Sequence, residues 1–516
     1  MKALSRPVYI IALFAGIKFL IPFLLIHPSF ELHRDEFLYL ADSDHMAWGY
    51  IEMPPLLAVL GWLSKLAGGS IYTVYFWGGL SGALTMVVIG KIVLRLKGNS
   101  TAVFFACLAF LCSGFLRMHI LFQPNFLDVF FWTLGSYYII CLVQNNRTLD
   151  FYYLGICLGL GMLGKYSTAF YILSFAVAVV ATGQRKWLRN RHFYFAMLLG
   201  ILICLPNLYW QYTHQFPVWH HMDLLTRQQL QYNSRKDFLI DQLLILLPGF
   251  FIWMGGLWYI LMKKEGRKYM IIGFLYMGIL GLLLYFNGKG YYAAAIYPTL
   301  IAFGGIWFSQ LVSQKYTAWL RWVAPVFILG VTLFALPVLI PYQSPDKLAN
   351  TYRNMHLENS PMLRWEDHQQ HALPQDFADM IGWREMAERT AKAYLSLPDS
   401  VQRQTMIYGD AYAHAASLSF YRKPYRLPEI YSDDASFVFW LPDQFNYRYF
   451  LLVTDKMPDA DDHFFNHWGK REIIDSVQNP LSRQHGDKII LYSFPDDSVK
   501  IIAERNIRRD KAQFRR

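Results

Sequence analysis

The chain has 516 residues, of which 54% are hydrophobic, 17% aromatic and 16% charged, and its formal net charge is +11. Soluble domains carry about 25% charged residues, so this composition excludes an ordinary soluble globular protein. Apolar runs close to the ~20 residues needed to cross a bilayer recur through the first two thirds of the chain, which predicts a polytopic α-helical membrane protein.

Eleven apolar runs are long enough to be predicted as membrane spans. They are 7–27, 71–95, 101–118, 124–144, 150–165, 166–183, 192–212, 238–262, 269–287, 290–312 and 319–341. Lys165 interrupts one continuous apolar stretch, so the runs on either side form a hairpin or a kinked helix, and ten or twelve spans remain alternatives. Because Met1 to Arg6 lead directly into the first run, we expect no removable signal peptide.

The charges of the loops predict the orientation of the chain. Lysine and arginine collect in alternate loops, at Lys91, Arg95, Lys97, Arg147, Arg185, Lys186, Arg189, Arg191, Lys263, Lys264, Arg267, Lys268, Lys315 and Arg321. Cytoplasmic loops retain such cations, so we expect the N-terminus in the cytoplasm, the chain in the inner membrane and its C-terminal tail outside. The net positive charge is then a topology signal, and we expect no nucleic-acid partner.

The first outer loop carries half of the acidic residues of the membrane region. Its segments Phe37–Tyr50 and Pro54–Leu66 have the spacing of helices that lie along the membrane surface, and Pro54-Pro55 would open the second of them. This arrangement places Asp35, Glu36 and Glu52, with His33 beside them, over the mouth of the bundle. One of these acids acts as a general base with the others beside it, or they only supply negative charge that stabilises a helix N-terminus.

Two further polar groups lie at the same side of the membrane. Asp128 falls one turn into the span that begins at Asn125, and it either faces a polar cavity or is a surface residue at a frayed helix end. Lys289, Tyr291 and Tyr292 form the second group, and Lys165 is a weaker example of the same type. A lysine and tyrosines at this place are suited to bind a phosphate anion. The alternative is that the lysine side chain extends to the membrane surface beside a belt of interfacial aromatic residues.

The sequence leaves a bound metal open. His214, His220 and His221 lie in the outer loop between Tyr209 and Lys236, and histidines with carboxylates can bind a divalent ion. Their spacing matches no tight metal motif, so no cofactor is certain.

The composition of the chain changes between Pro341 and Asp346, which divides it into a membrane domain, 1–341, and a tail, 342–516. In the tail, strand-like runs at 404–408, 449–454 and 488–494 alternate with helix-like runs such as 376–395. We therefore expect a small C-terminal α/β domain on the extracytoplasmic, periplasmic face.

Several short motifs, in this order, resemble those of one enzyme family. They are Asp35-Glu36, Trp48-Gly49-Tyr50 with Pro54-Pro55, Asn125 to Asp128, Gly164-Lys165-Tyr166, Leu205-Pro206-Asn207 with Trp210, Lys289-Gly290-Tyr291-Tyr292, Leu373 to Phe377 with Gly382-Trp383, and Tyr408 to Tyr412. The chain resembles bacterial polyprenyl-phosphate-dependent glycosyltransferases of the GT-C type, in particular the family 39 or dolichyl-phosphate-mannose-protein mannosyltransferase-like group. The aminoarabinose lipid A transferases are also similar, but they have a lysine before the two prolines where this chain has Met53, which puts that donor in doubt.

This resemblance implies a GT-C fold and an inverting transfer from a polyprenyl-phosphate-linked sugar to a hydroxyl of a lipid, glycan or protein. Asp35 would be the base, with Glu36 and Asp128 as further catalytic acids. The donor phosphate would bind at Lys289, Tyr291, Tyr292 and Lys165. Glu52 and His33 would contact the acceptor or hold the loop.

A membrane transporter or flippase for a lipid-linked or anionic substrate is the alternative function. Transporters tend to place polar or broken helices near the midplane in paired repeats, and this sequence shows its acids at one face instead. The sequence specifies neither the sugar, the acceptor nor the oligomeric state.

Overall fold

The first 340 residues form mainly apolar helices in the computed structural model, which describes residues 5–459 and 462–514. The helices are α1 Arg6–Leu25, α2 Arg34–Asp42, α3 Leu56–Leu66, α4 Ile71–Arg95, α5 Ser100–Leu111, α6 Phe115–Met118, α7 Asn125–Asn145, α8 Thr148–Gly164, α9 Thr168–Ala181, α10 Arg191–Thr213, α11 Pro217–Gln228, α12 Arg235–Leu244, α13 Phe250–Met262, α14 Lys264–Arg267, α15 Met270–Tyr285, α16 Tyr297–Leu311 and α17 Leu320–Leu339. A 3₁₀ helix, Gly290–Ile296, leads into α16.

Six of the described helical segments are long and apolar enough to span a membrane: α1, α4, α7, α10, Gly290–Leu311 and α17. Two bent pairs also qualify, α9 with Gly183–Arg189 and α12 with Leu247–Met262, which turn by 103° and 66° at their breaks. Shorter apolar helices (α3, α5, α8 and α15) lie between them. The protein is therefore multi-pass, and the count of eleven spans stays a prediction.

Glycines let the membrane helices pack at close range. A Cβ atom at Gly256 in α13 would lie 2.0 Å from the Leu300 carbonyl oxygen of α16, and one at Gly304 would lie 1.9 Å from the Ile252 carbonyl oxygen. Small residues allow backbones to approach closely in this way, which is the main source of helix association in lipid.

The first loop contains two short helices, but the first of them ends earlier than predicted. We expected a helix over Phe37–Tyr50, whereas α2 ends at Asp42. The hydroxyl of Tyr50 donates to the Asp42 carbonyl oxygen at 3.0 Å and accepts the Ala47 N–H at 3.1 Å, so the chain wraps around this side chain instead of continuing as a helix. The second helix, α3, begins directly after Pro55, as the proline pair predicts.

The C-terminal part combines a five-stranded sheet with helices. Its elements are α18 Pro345–Asn354, α19 Gln375–Ala378, α20 Trp383–Leu395, α21 Asp399–Gln402, β1 Thr405–Gly409, α22 Tyr412–Tyr425, β2 Ile430–Tyr431, β3 Tyr449–Thr454, β4 Trp468–Ser476, β5 Lys488–Pro495 and α23 Asp497–Ala512. The strand order is β2-β1-β3-β5-β4, with β1 parallel to both β2 and β3, and β5 antiparallel to both β3 and β4. The predicted strands agree to within a residue, but the predicted helix 376–395 is broken at Gly382, whose φ is +93°.

The first loop and the C-terminal part share one hydrophobic core. The ring of Phe37 in α2 lies 5.8 Å from Trp383 and 5.3 Å from Phe420, centroid to centroid. Both sides contribute buried residues to the same cluster, for example Leu57 and Leu451. Hydrophobic packing is therefore continuous between the first loop and the C-terminal part. The division into two domains near residue 341 stays a prediction.

Candidate active site

The adjacent acids Asp35 and Glu36 have different environments at the start of α2. His33 caps the helix by accepting the Asp35 N–H at Nδ1, 3.2 Å away. Glu36 is fully buried, and its two oxygens accept backbone N–H groups, from His33 at 2.6 Å and from Phe122. Burial raises the pKa of Glu36 to about 7. Because both oxygens are occupied, the geometry favours a structural role for Glu36 over the catalytic role that we expected.

The Asp35 side chain is partly exposed and lies where three regions of the chain meet. Its Oδ1 accepts the hydroxyl of Tyr412 from α22 at 2.7 Å, and its Oδ2 accepts the amide of Gln123 at 3.3 Å. The guanidinium of Arg34 lies 3.6 Å away. With 28% of its surface accessible, Asp35 is oriented by these neighbours yet open to a substrate.

A continuous row of hydrogen bonds leads from Asp35 to Lys165. Gln123 accepts the amide of Asn125 at 3.2 Å, and Asn125 in turn accepts the ammonium of Lys165 at 2.6 Å. Lys165 lies in the extended break between α8 and α9, with its ammonium 4.7 Å from the ring centroid of Tyr292 and 5.9 Å from that of Tyr291. The structure thus brings together the acid and the cation that the sequence places 130 residues apart.

Lys289 has a similar environment to that of Lys165. Its ammonium donates to the side-chain oxygen of Gln229 at 2.6 Å. Burial lowers the pKa of Lys289, and the charges on Glu366 and Asp35 partly offset this effect. Both lysines are therefore bonded to neutral amides rather than to carboxylates, which leaves their charge available to an anion.

Asp128 lies close to Lys165, but both of its carboxylate oxygens bond to hydroxyl groups of the protein. It is buried in the first turn of α7, where its oxygens accept the hydroxyls of Ser167 and, at 3.1 Å, of Thr168. Ser167 is the N-cap residue and Thr168 the first residue of α9, two and three positions after Lys165. Asp128 therefore fixes the break that carries Lys165.

Four polar side chains of the candidate site keep part of their surface accessible: Tyr39, Glu52, Lys165 and Tyr291. The pKa of Tyr39 is raised well above its usual value, first by burial and then by the charges on Asp35 and other nearby groups that include Glu52. Tyr291 lies near both Tyr39 and Asp35.

Two glutamates of the first loop hold the C-terminal part in place. Glu52 accepts the N–H and the hydroxyl of Ser436, at 2.6 and 2.7 Å. Glu31 accepts the hydroxyl of Tyr421 at 2.7 Å and the N–H of Arg384 at 2.8 Å, at the start of α20. The bonds from Ser436 favour the structural one of the two roles predicted for Glu52.

Sequence reasoning missed Gln123, Tyr412 and Ser436. Gln123 directly precedes the Pro124-Asn125 motif, and Tyr412 ends a motif that was noted in the tail, so their positions carried a signal. Ser436 carried none, because its contact with Glu52 joins residues 384 apart in the sequence.

The histidines proposed for a metal are not brought together. Within residues 5–459 and 462–514, no group of three or more histidine, cysteine, aspartate or glutamate side chains is arranged to hold a metal ion. The ring of His214 stacks on Trp210 at 4.2 Å, and that of His220 packs against Phe514 at 5.4 Å. His221 is largely surrounded by protein, which lowers its pKa, and His33 faces Asp379 at 3.8 Å.

Three comparisons with known proteins agree with this architecture. The family model for dolichyl-phosphate-mannose-protein mannosyltransferase matches residues 52–210. The lipid A galacturonosyltransferase RgtD of Rhizobium johnstonii is 23% identical over 316 residues, which are 60% of this chain and 66% of that protein, just under two thirds of its length. Crystal structures of ArnT from Cupriavidus metallidurans, in the apo state and bound to undecaprenyl phosphate, superpose with TM-scores of 0.58 and 0.57.

The two ArnT structures are 14% identical to this chain and cover 95% of it and 99% of their own length, so the likeness extends over the whole fold. The family match and the curated relative supply the link in sequence that a structural likeness at this identity does not. The resemblance predicted from the motifs is confirmed: the chain has the GT-C membrane fold of the ArnT structures, and its residues 52–210 match the mannosyltransferase family model.

Proposed function

We propose that this protein is an inverting membrane glycosyltransferase that moves a sugar from a polyprenyl phosphate to an acceptor hydroxyl on a lipid, glycan or protein. The observation that carries the proposal is the row of hydrogen bonds from Tyr412 through Asp35, Gln123 and Asn125 to Lys165. This row joins a carboxylate to a cation, which we assign to the donor phosphate, through one hydrogen-bonded network. The relatives support the donor class, since one ArnT structure contains undecaprenyl phosphate. We expect the reaction at the outer face of the inner membrane.

The donor phosphate is assigned to Lys165 and Lys289. Each ammonium donates to a neutral amide oxygen, and the rings of Tyr291 and Tyr292 cover Lys165. Charge-assisted hydrogen bonds to phosphate are about twice as strong as neutral ones, and burial strengthens them further. The polyprenyl chain would then extend into the lipid beside the bundle.

Asp35 is assigned as the general base. The acceptor oxygen bonds to the anomeric carbon while its proton passes to Asp35, and the bond between that carbon and the phosphate oxygen breaks. The electron pair leaves with the polyprenyl phosphate, whose charge the lysines stabilise. A single displacement from the opposite face inverts the anomeric centre. Tyr412 and Gln123 orient the base, whereas Glu36 and Asp128 are assigned to positioning.

The test compares cell-envelope lipids and glycans by mass spectrometry in a deletion strain that expresses matched amounts of wild type, Asp35→Asn or Asp44→Asn. Asp44 is the control because it lies in the same loop but is exposed, with Lys65 as its ion-pair partner. We expect a hexose-, pentose- or uronate-sized mass to return with wild type and Asp44→Asn only. If Asp35→Asn restores that mass, the assignment of the base is wrong and the transporter alternative gains ground.

The donor assignment is tested with purified protein. Binding of undecaprenyl phosphate is measured for wild type, Lys165→Gln and, as the control, Lys186→Gln, whose exposed side chain lies in Gly183–Arg189. We expect only Lys165→Gln to weaken binding, by about tenfold or more, the loss of one charge-assisted bond. Equal affinities for all three proteins would contradict the assignment.

A further inference from the structure

Arg34 lies between the proposed base and a carboxylate of the C-terminal part. Its Nε is 3.6 Å from Asp35 Oδ1 and 3.6 Å from Asp379 Oδ2. Both distances are too long for hydrogen bonds, and this buried nitrogen has no hydrogen-bond partner among the residues that the structure describes. A third carboxylate, that of Glu366, is 4.0 Å from Nη2 of the same guanidinium. Arg34 is therefore shared among three acids and is closed on none of them.

Asp379 is fixed in place by both its side chain and its backbone. The side chain is 1% exposed, and its Oδ2 accepts an N–H of Arg483 at 3.2 Å. Its backbone carbonyl accepts the indole N–H of Trp383 at 2.8 Å and the N–H of Arg34 at 3.2 Å. Burial raises the pKa of Asp379, whereas nearby cations, Arg34 first among them, lower it, so its ionised form depends on these cations. The C-terminal part thus places a buried carboxylate against the residue that precedes the base.

Asp35 keeps free lone pairs only while Arg34 stays at this distance. Its Oδ1 accepts the hydroxyl of Tyr412 at 2.7 Å, and its Oδ2 accepts the amide of Gln123 at 3.3 Å. Each carboxylate oxygen can accept more than one hydrogen bond, so acceptor sites remain on both. An arginine that closes on a carboxylate forms charge-assisted bonds to it and makes it a weaker base. A closed pair of Arg34 and Asp35 would therefore occupy the remaining sites and weaken the base.

We propose that Asp379 is a positioning residue for the base: by sharing Arg34 with Asp35, it keeps the guanidinium from closing on the carboxylate that receives the acceptor proton. Without the charge on Asp379, Arg34 would close on Asp35. The alternative partner, Glu366, is already bonded to Arg483 at 3.1 Å. The inference rests on the proposed function, in which Asp35 is the base, and adds to it a residue of the C-terminal part. The other titratable groups around this set, besides the tyrosines described above, are His33, Glu36, Lys289, Glu366, Asp376 and Arg483.

The experiment follows the protonation of Asp35 without a sugar substrate. Dicyclohexylcarbodiimide reacts with protonated carboxyl groups, so the pH midpoint of its labelling at Asp35 reports the ionisation of this side chain. Labelling is measured by peptide mass spectrometry on the purified full chain in lipid nanodiscs. We expect the midpoint of Asp379→Asn to be at least about 1 pH unit lower than that of wild type. Asp399→Asn, at an exposed aspartate of α21, is the control and should not change it.

The part played by Arg34 is isolated by repeating the substitution in an Arg34→Gln background. We expect Asp379→Asn to have little effect there, because no guanidinium remains to close on the base. The loss of a nearby negative charge alone would lower the midpoint equally in both backgrounds, so the double-mutant cycle separates the two explanations. Asp379→Glu keeps the charge and should retain the wild-type midpoint.

Transfer is measured for the same variants in the deletion strain. We expect it to fall about tenfold in Asp379→Asn, as for a weakened base, and to recover in the double variant with Arg34→Gln. Equal labelling midpoints for wild type and Asp379→Asn, or equal changes in both backgrounds, would overturn the positioning role. Transfer that persists in Asp35→Asn would refute the proposed base, while the midpoints still decide whether Asp379 controls Arg34.

A second variant keeps the test decisive if Asp379→Asn does not fold. Arg483→Gln, at a side chain that is 27% exposed, removes the other arginine bonded to Asp379. The freed carboxylate should then draw Arg34 toward itself and away from the base, so the labelling midpoint should rise. An unchanged or lowered midpoint in this variant would contradict the proposal.

Discussion

Replacing Glu36 by glutamine tests the structural role that its environment indicates. Burial raises the pKa of Glu36 from its ordinary value of 4.5 to about 7. A raised pKa means that the folded state binds the proton more tightly than the unfolded state does. The stability from this group is therefore complete below pH 4.5 and is lost as the pH rises through 7. A difference of about 2.5 pKa units corresponds to a loss of about 3 kcal/mol in the free energy of unfolding.

Glutamine cannot ionise, so the Glu36→Gln variant should lack this pH dependence. It keeps one acceptor oxygen for the two backbone N–H groups of His33 and Phe122, which leaves one of them unpaired at a cost of about 1–3 kcal/mol. We expect the variant to be less stable than wild type at pH 5 and to be equal to it, or more stable, at pH 8.

The assay is chemical unfolding of the purified full chain in detergent, followed by tryptophan fluorescence at pH 5, 6.5 and 8. Glu265→Gln, at an exposed glutamate of α14, is the control and should follow wild type at every pH. Parallel pH dependences for wild type and Glu36→Gln would refute the reasoning. A Glu36→Gln protein that is as stable as wild type and has lost sugar transfer would restore the catalytic role predicted from the sequence.

Three further predictions concern the base, the contact between the two parts of the chain and the helix packing. Tyr412→Phe removes the hydroxyl that orients the base, and we expect transfer to fall about tenfold with unchanged affinity for undecaprenyl phosphate; a fall in that affinity would contradict a role limited to orientation. Ser436→Ala removes one hydrogen-bond donor to Glu52, a loss of about 1 kcal/mol in the stability of the contact. We expect proteolysis of the C-terminal part to be faster by a factor of about 5 to 10. An unchanged cleavage rate would mean that the bond is dispensable. Gly256→Ala should reduce the yield of folded protein because the added methyl group meets a backbone oxygen at 2.0 Å, whereas Gly281→Ala, with open space around it, should not; similar yields for both would refute the close packing of α13 and α16.

The sequence predicts well what depends on local patterns. Short strand-like runs predict β1, β3 and β5 to within a residue, and the interruption at Lys165 coincides with the break between α8 and α9. The predicted helix 376–395 is interrupted at Gly382, whose φ of +93° lies in the left-handed region. The sequence pattern did not predict this backbone conformation. Similarly, α2 ends at Asp42 because Tyr50, eight residues later, bonds back to it.

Long-range contacts set the limit of prediction for the candidate site. The motifs point to Asp35, Lys165 and Lys289 as the residues that carry the chemistry. The structure links Asp35 to Lys165 through hydrogen bonds, and the charge of Asp35 acts on Lys289. The environment of each acid could not be predicted, since it depends on partners distant in the sequence. Glu36 bonds to Phe122, 86 residues away, and its neighbour Asp35 bonds to Tyr412, 377 residues away.

The hydroxyl that binds Glu31 belongs to Tyr421, 390 residues later in the chain. At synthesis rates of about 5–20 residues per second, the first loop leaves the ribosome roughly 20 to 80 seconds before the surface that completes it exists. During that interval Phe37 lacks its ring contacts with Trp383 and Phe420, and only the membrane-helix residues of the same cluster, such as Phe126, are present. The loop that carries Asp35 is therefore made early, whereas its contacts with Tyr421, Trp383 and Phe420 can form only after the C-terminal part has been made.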